Sequence, residues 1–164
     1  MSKGAKIRCY DYVNHPYVRV RDALGQNALG IFQSATKAAA SRAQSIAAEL
    51  RFDVAGIGVK TDIKIHVRKV EETIDMISTP TTRLFLEWEA ATVRRLFPLM
   101  NGELAVYSLT PTETQLDFSG VYKPPFGGLG KAVNAIVGHR IAEVSVHGFI
   151  NDVAEYLRRS LANA

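Results

Sequence analysis

Apolar and polar positions along the chain change their period from one segment to the next. Ile7 to Val13 is a short run of β type, stopped by Asn14-His15-Pro16. Asn14 or His15 can cap a helix, with Pro16 in its first turn where no amide is needed. A short helix to about Leu24 follows, and Gly25 is expected to end it. Ala28, Ile31 or Phe32, Ala35, Ala39, Ala43, Ile46 and Leu50 then recur every three or four residues, one apolar helical stripe that should end near Glu49. Most of the stripe is alanine, so this helix can lie close against what it covers.

After that the period is two. Phe52 and Val54 alternate with charged residues, and Gly56 and Gly58 make a turn. Ile63, Ile65 and Val67 alternate with Lys64, His66 and Arg68. Ser78-Thr79-Pro80-Thr81 is a break, and Leu84, Leu86, Trp88 and Ala90 follow in alternation. Leu104 and Val106 precede a turn at Thr110-Pro111-Thr112, and Leu116, Phe118, Gly120 and Tyr122 form the last run. Each run is wet on one side, which predicts an antiparallel sheet with one buried face, and the short connections suit a meander. From about Leu129 to Leu161 only Gly138 and Gly148 interrupt a helical pattern, giving a rod of roughly 50 Å at 1.5 Å per residue.

The predicted class is α+β. The sheet's apolar face needs a cover, and the last helix is the element long enough to supply it. A twisted sheet cannot touch a straight helix everywhere, so a hollow is expected between them. Two apolar sectors on the last helix fit this. Leu129, Val133, Ile136, Val137 and Val144 lie on one side, while Val146, Phe149, Ile150, Val153, Leu157 and Leu161 are rotated by roughly a third of a turn. The first sector is expected to face the hollow and the second to seal the sheet.

Composition narrows the functional classes. Apolar residues make up 47% and charged residues 22% of 164, ordinary globular usage that fits a single domain over 1–164. The longest charge-free stretch, Ala23 to Thr36, holds Gln26, Asn27, Gln33 and Ser34, so no membrane span is expected. The charged first residues lack the apolar run of a signal peptide, and the expected location is cytoplasmic. The basic surplus of four lies in the first half without any run of three basic residues. Lys64, Arg68 and Lys69 read as one solvated strand face, so no nucleic-acid partner is expected. A lone Cys9 excludes an internal disulfide and a cysteine-based zinc site.

Several stretches carry a resemblance: Thr82 to Ala90 (TRLFLEWEA), Leu96-Phe97-Pro98, Thr114-Gln115-Leu116, Gly120 to Gly130 (GVYKPPFGGLG) and His139-Arg140. With the element order, they resemble the START-like, birch-pollen-allergen-like superfamily (SRPBCC), near its polyketide cyclase and lipid-transfer members. The resemblance implies a helix-grip fold, a curved antiparallel sheet around a long C-terminal helix. It also implies a hydrophobic cavity for a lipid, polyketide or similar ligand. Members of the fold include carriers, cyclases, ring hydroxylases and regulatory proteins, so the fold does not select a reaction. No family catalytic residue maps onto this chain.

Candidate chemistry is sparse. His139, Glu143 and His147 follow one another at intervals of four, but the outer two are about 12 Å apart along a helix, too far for one ion. No metal or cofactor is expected. Arg140 projects within the first apolar sector, with His147 and Asn151 on the same line, and could pair with a ligand carboxylate or phosphate; otherwise it reaches solvent or a strand carboxylate such as Glu87 or Glu89. Phe126-Gly127-Gly128-Leu129-Gly130-Lys131 fails the phosphate-loop spacings and reads as a tight corner. Glu71-Glu72 and Glu87/Glu89 do not form an acid/base pair, and no nucleophile elbow or HExxH helix is present.

The sequence reading is therefore a module that binds or carries a hydrophobic small molecule in an internal cavity. Its expected lining is Leu86, Trp88, Val106, Phe118, Tyr122, Val133, Val137, Arg140, Val144 and His147. The alternative is a cyclase- or dehydratase-type enzyme in the same cavity, with His147 as base and Tyr122 as acid. A filled core serving protein interaction is a third reading, and dimerisation through a sheet edge is left open.

Overall fold

The structure, a computed structural model, describes residues 5–49, 63–73, 77–90, 99–123 and 131–163. The expected Phe52/Val54 strand, the Gly56/Gly58 turn, Leu96-Phe97-Pro98 and the Pro124–Gly130 corner lie outside the described residues. Five strands and two helices follow in order: β1 (Ala5–Val13), α1 (Tyr17–Glu49), β2 (Ile63–Thr73), β3 (Thr81–Ala90), β4 (Leu99–Thr110), β5 (Glu113–Lys123) and α2 (Lys131–Ala162). The strands form one antiparallel sheet in the order β1-β5-β4-β3-β2. β2 to β5 are the meander that the short connections predict, and β1 returns to pair with β5 along its whole length.

The alternation puts the apolar residues on one face, as expected. Ile7, Cys9, Ile65, Leu84, Leu86, Leu104, Val106, Leu116 and Phe118 are all buried there. The helical cover comes from Leu24, Ile31, Phe32 and Ala35 of α1 and from Val146, Phe149, Ile150, Val153, Ala154 and Leu157 of α2. The second apolar sector of α2 thus seals the core. Small residues at Ala35 and Ala154 let the helices approach each other. The architecture is a helix-grip fold, with the C-terminal helix packed on the sheet's apolar face.

Two buried threonines fix the start of α1 on that face. Thr114 Oγ1 donates to the His15 carbonyl at 2.7 Å, and the Tyr17 hydroxyl shares a 2.7 Å bond with Thr82 Oγ1. Each bond satisfies a group that would otherwise cost free energy in an apolar setting. The amides of Arg19 and Val20 reach back to the Pro16 carbonyl, so Pro16 stands at the cap position itself.

One boundary differs from the sequence expectation. Gly25 does not end the first helix. The break comes two residues later at Asn27, whose φ of −149° and ψ of 41° are non-helical. The Asn27 side-chain amide lies over Gly30, where a Cβ would collide with it. The missing side chain at Gly30 leaves room for Asn27 at the kink, while Gly25 stays inside the helix. A second irregularity is a register shift between Val67 and Lys69 in β2. The extra residue, Arg68, moves Val70 opposite Leu84.

Candidate functional site

The inner sheet face is built in cross-strand rows. One row runs Ile7–Gly120–Gly102–Leu86, and the next Ala5–Tyr122–Met100–Trp88. Gly102 and Gly120 sit side by side at inward positions of adjacent strands. The missing side chains make a shallow floor, and the Phe118 ring lies on it. A Cβ on Gly102 would stand 2.6 Å from Phe118 Cε2.

Phe118 is one member of an aromatic cluster. Trp88 stacks parallel to it with centroids 6.0 Å apart. Phe149 of α2 meets Trp88 edge-on at 5.2 Å and Phe118 at 6.4 Å, and Phe32 of α1 completes the group at 5.7 Å from Phe149. Tilted and edge-on pairs at these separations add about 0.5–1.5 kcal/mol each beyond area burial. The cluster therefore ties both helices to β3 and β5. Phe149 is 0% exposed, Phe118 1% and Trp88 7%. Trp88 is thus the least enclosed of the three.

The expected lining residues divide into three groups. Leu86, Trp88, Val106 and Phe118 are buried on the inner face. Tyr122 lies in β5 and Val133, Val137 and Arg140 in α2 by their backbones, but their side chains lie outside the described residues. Val144 is half-buried and His147 exposed. The acid/base reading needs His147 inside, and its side chain is exposed. It follows the buried Val146 by one residue, about 100° round the helix. Past Val144, the line that carries Arg140 reaches the surface at His147 and Asn151. His147 there borders an open groove of about 420 Å³ on α2. A second open groove, about 690 Å³, runs between α1 and α2 over Ile31 and Ala35. Among the described residues, no group of three His, Cys, Asp or Glu side chains could hold a metal ion.

Charges occupy the outer face and pair across it. Arg8 grips Asp117 at 2.8 Å, Arg68 grips Glu87 at 2.7 Å and Arg83 meets Glu103 at 3.0 Å. The bond from Arg68 holds the Glu87 carboxyl below its ordinary range. Lys69 pairs with Glu71, so Arg68 and Lys69 belong to a solvated, internally paired face. Tyr107, whose parity differs from that of Leu104 and Val106, donates its hydroxyl to Asp117 at 3.4 Å. Its pKa is raised, first by burial and then by the Asp117 charge.

Cys9 is the inward titratable group of β1. Burial, with smaller contributions from Asp117 and Asp11, pushes its thiol up to about 12. The folded state favours the neutral thiol, whereas in the unfolded chain the thiol ionises near its ordinary value of 9.0. Cys9 therefore stabilises the fold below pH 9, and that contribution falls away as pH rises from about 9 toward 12. A thiol reagent at pH 8 is expected to leave the native protein unmodified and to label one cysteine per chain in urea. Labelling of the native protein at the unfolded rate would contradict this burial.

Sequence reading missed three features. Phe149 falls in the sealing sector, but its role as the hub of an aromatic cluster depends on Phe32, 117 positions away. Gly102 was legible as a glycine in phase with Leu104 and Val106. The contacts of Arg158 with β1 have no sequence signal.

No protein-family model matches the chain, and no curated protein matches it in sequence. Solved structures resemble it in three dimensions. The Zhui aromatase/cyclase from Streptomyces sp. R1128 is 15% identical, with 96% of this chain and 95% of that one covered at a TM-score of 0.49. Ara h 8.0201 is 6% identical, with 93% and 97% covered at 0.43. A conserved protein from Geobacillus kaustophilus is 13% identical, with 95% and 97% covered at 0.44. These are likenesses of architecture, and the fold rests on the strand register and packing described above. By that register and packing the chain is a helix-grip protein, an antiparallel sheet closed on one face by its C-terminal helix.

Proposed function

We propose that the chain binds or carries a hydrophobic small molecule between the sheet and the first half of α2, beside Trp88. The observation that carries this reading is the apolar inner face of the sheet, on which Leu86, Trp88, Val106 and Phe118 are buried. Among the described residues, α2 meets that face through Val146 to Leu157, with Phe149 edge-on to Trp88. β4 and β5 run on past Gly102 and Gly120 to Leu99 and Lys123, and α2 extends back to Lys131. Its fifteen residues from Lys131 to Ser145 span roughly 22 Å at 1.5 Å per residue. A ligand between these extensions would rest on the Trp88 indole. Burial of its apolar surface would drive binding at about 25 cal/mol per Å² before the costs of association. Arg140 and Tyr122 are the residues proposed to orient a polar end. Lipids, polyketides and aromatic metabolites are the classes that the START-like resemblance suggests.

Native mass spectrometry of protein purified without added ligand tests the proposal. The expected spectrum contains the 18.0 kDa chain and a heavier species that releases an apolar compound on activation. Chain at its bare mass alone, with no uptake of fatty acids or polycyclic aromatics after incubation, would remove the carrier reading.

A further inference from the structure

β1 is an edge strand among the described residues, paired on one side with β5 and on the other with no strand. Such an edge offers backbone groups to any extended chain. The strand is nine residues long, and its pairing with β5 has no register shift. Tyr10 and Tyr12 are 72% and 50% exposed on its outer face.

At Tyr12 the edge is closed. The Tyr12 amide donates to Asp11 Oδ1 at 2.7 Å, and the Tyr12 carbonyl accepts from Arg158 at 2.6 Å. In an antiparallel strand the amide and carbonyl of one residue point to the same side. The Asp11 and Arg158 side chains hold both groups of Tyr12, which assigns them to the free edge. Arg158 comes from α2 and completes the closure. Its guanidinium also bonds Asp11 at 2.8 Å and Glu155 at 2.9 Å, and it lies 5.2 Å from the centre of the Tyr12 ring. Asn151 adds a 3.4 Å bond to Asp11. Alternation then assigns the backbone groups of Lys6, Arg8 and Tyr10 to the same edge.

We infer that Arg158 and Asp11 guard the β1 edge against a second copy of this chain. The edge is self-complementary. Pairing two copies antiparallel about Cys9 sets Arg8 opposite Tyr10 of the second copy, and Tyr10 opposite its Arg8, a cation facing an aromatic ring twice. The same register sets Tyr12 opposite Lys6 of the second copy. That position needs the Tyr12 amide and carbonyl which Asp11 and Arg158 occupy, and it would bring the Arg158 and Lys6 cations together. The guard thus blocks the register that the exposed side chains favour.

The test is sedimentation velocity over a wide concentration range, with circular dichroism confirming the fold. Wild type is expected to sediment as a monomer of 18.0 kDa. Arg158→Met frees the Tyr12 carbonyl, and its sedimenting mass is expected to double as concentration rises. Adding Tyr10→Pro, which removes one edge amide without touching the β5 ladder, is expected to restore the monomer. A folded Arg158→Met that stays monomeric throughout overturns the inference. So does a wild type that associates equally well, or association that survives Tyr10→Pro. If Arg158→Met does not fold, Asp11→Asn carries the test: self-association above wild type supports the guard, and none overturns it.

Discussion

Replacing Phe149 by alanine will lower the thermal midpoint by on the order of 10 °C. The side chain is fully enclosed and contacts Phe32, Trp88 and Phe118. Truncating such a phenylalanine costs about 3–5 kcal/mol, the lost transfer free energy plus that of the cavity left behind. A chain of this length loses about 2–4 °C per kcal/mol. The damage should be unequal across the molecule, because Phe149 is where α1, α2 and the sheet meet. Hydrogen exchange of Val146 to Leu157 is expected to accelerate more than that of the β4–β5 hairpin. A thermal scan within 2–3 °C of wild type, about 1 kcal/mol, would show that the cluster contributes little.

The second large effect is expected from a smaller change. Gly102→Ala adds one methyl group, yet its Cβ would press into the Phe118 ring, and the backbone of β4 is held by pairing on both sides. Overpacking of this kind costs about 1–3 kcal/mol. The ring would have to leave the glycine floor, which disturbs its stack with Trp88. The diagnostic variant is Gly102→Ala combined with Phe118→Leu. If the clash is the cause, the double variant will be markedly more stable than the sum of the two single effects, because the smaller side chain leaves room for the methyl group. Denaturant unfolding of the four proteins measures this directly. Strict additivity would place the cost of Gly102→Ala in the backbone instead.

These two positions show what could be read from the chain. The inward parity of Leu84, Leu86, Leu104, Val106, Leu116 and Phe118 was legible because a pleated strand alternates its faces without exception unless a bulge intervenes. The antiparallel class, the long terminal helix and its sealing sector from Val146 to Leu157 followed from the same periodicity. The kink at Asn27 was not legible, because Gly25 and Asn27 are both plausible stops and the choice lay in a side chain folding over Gly30. The exposure of His147 was not legible for a related reason. It shares a line with Arg140 and Val144, but the helix turns that line to the surface past Val144, and helical phase alone does not say which side a sheet will cover. Arg158 was invisible because its partners, Asp11 and Tyr12, lie at the opposite end of the sequence and meet it only through the fold.

The ligand space beside Trp88 is the claim on which the functional reading depends, and the chain holds one tryptophan. Its emission therefore reports on that position alone. Titration with 1-anilinonaphthalene-8-sulfonate at neutral pH is expected to give saturable energy transfer from Trp88, with the probe displaced by a competing fatty acid or polycyclic aromatic and circular dichroism unchanged. Folded protein whose Trp88 emission stays constant across the titration, with the probe remaining dark, would contradict the account.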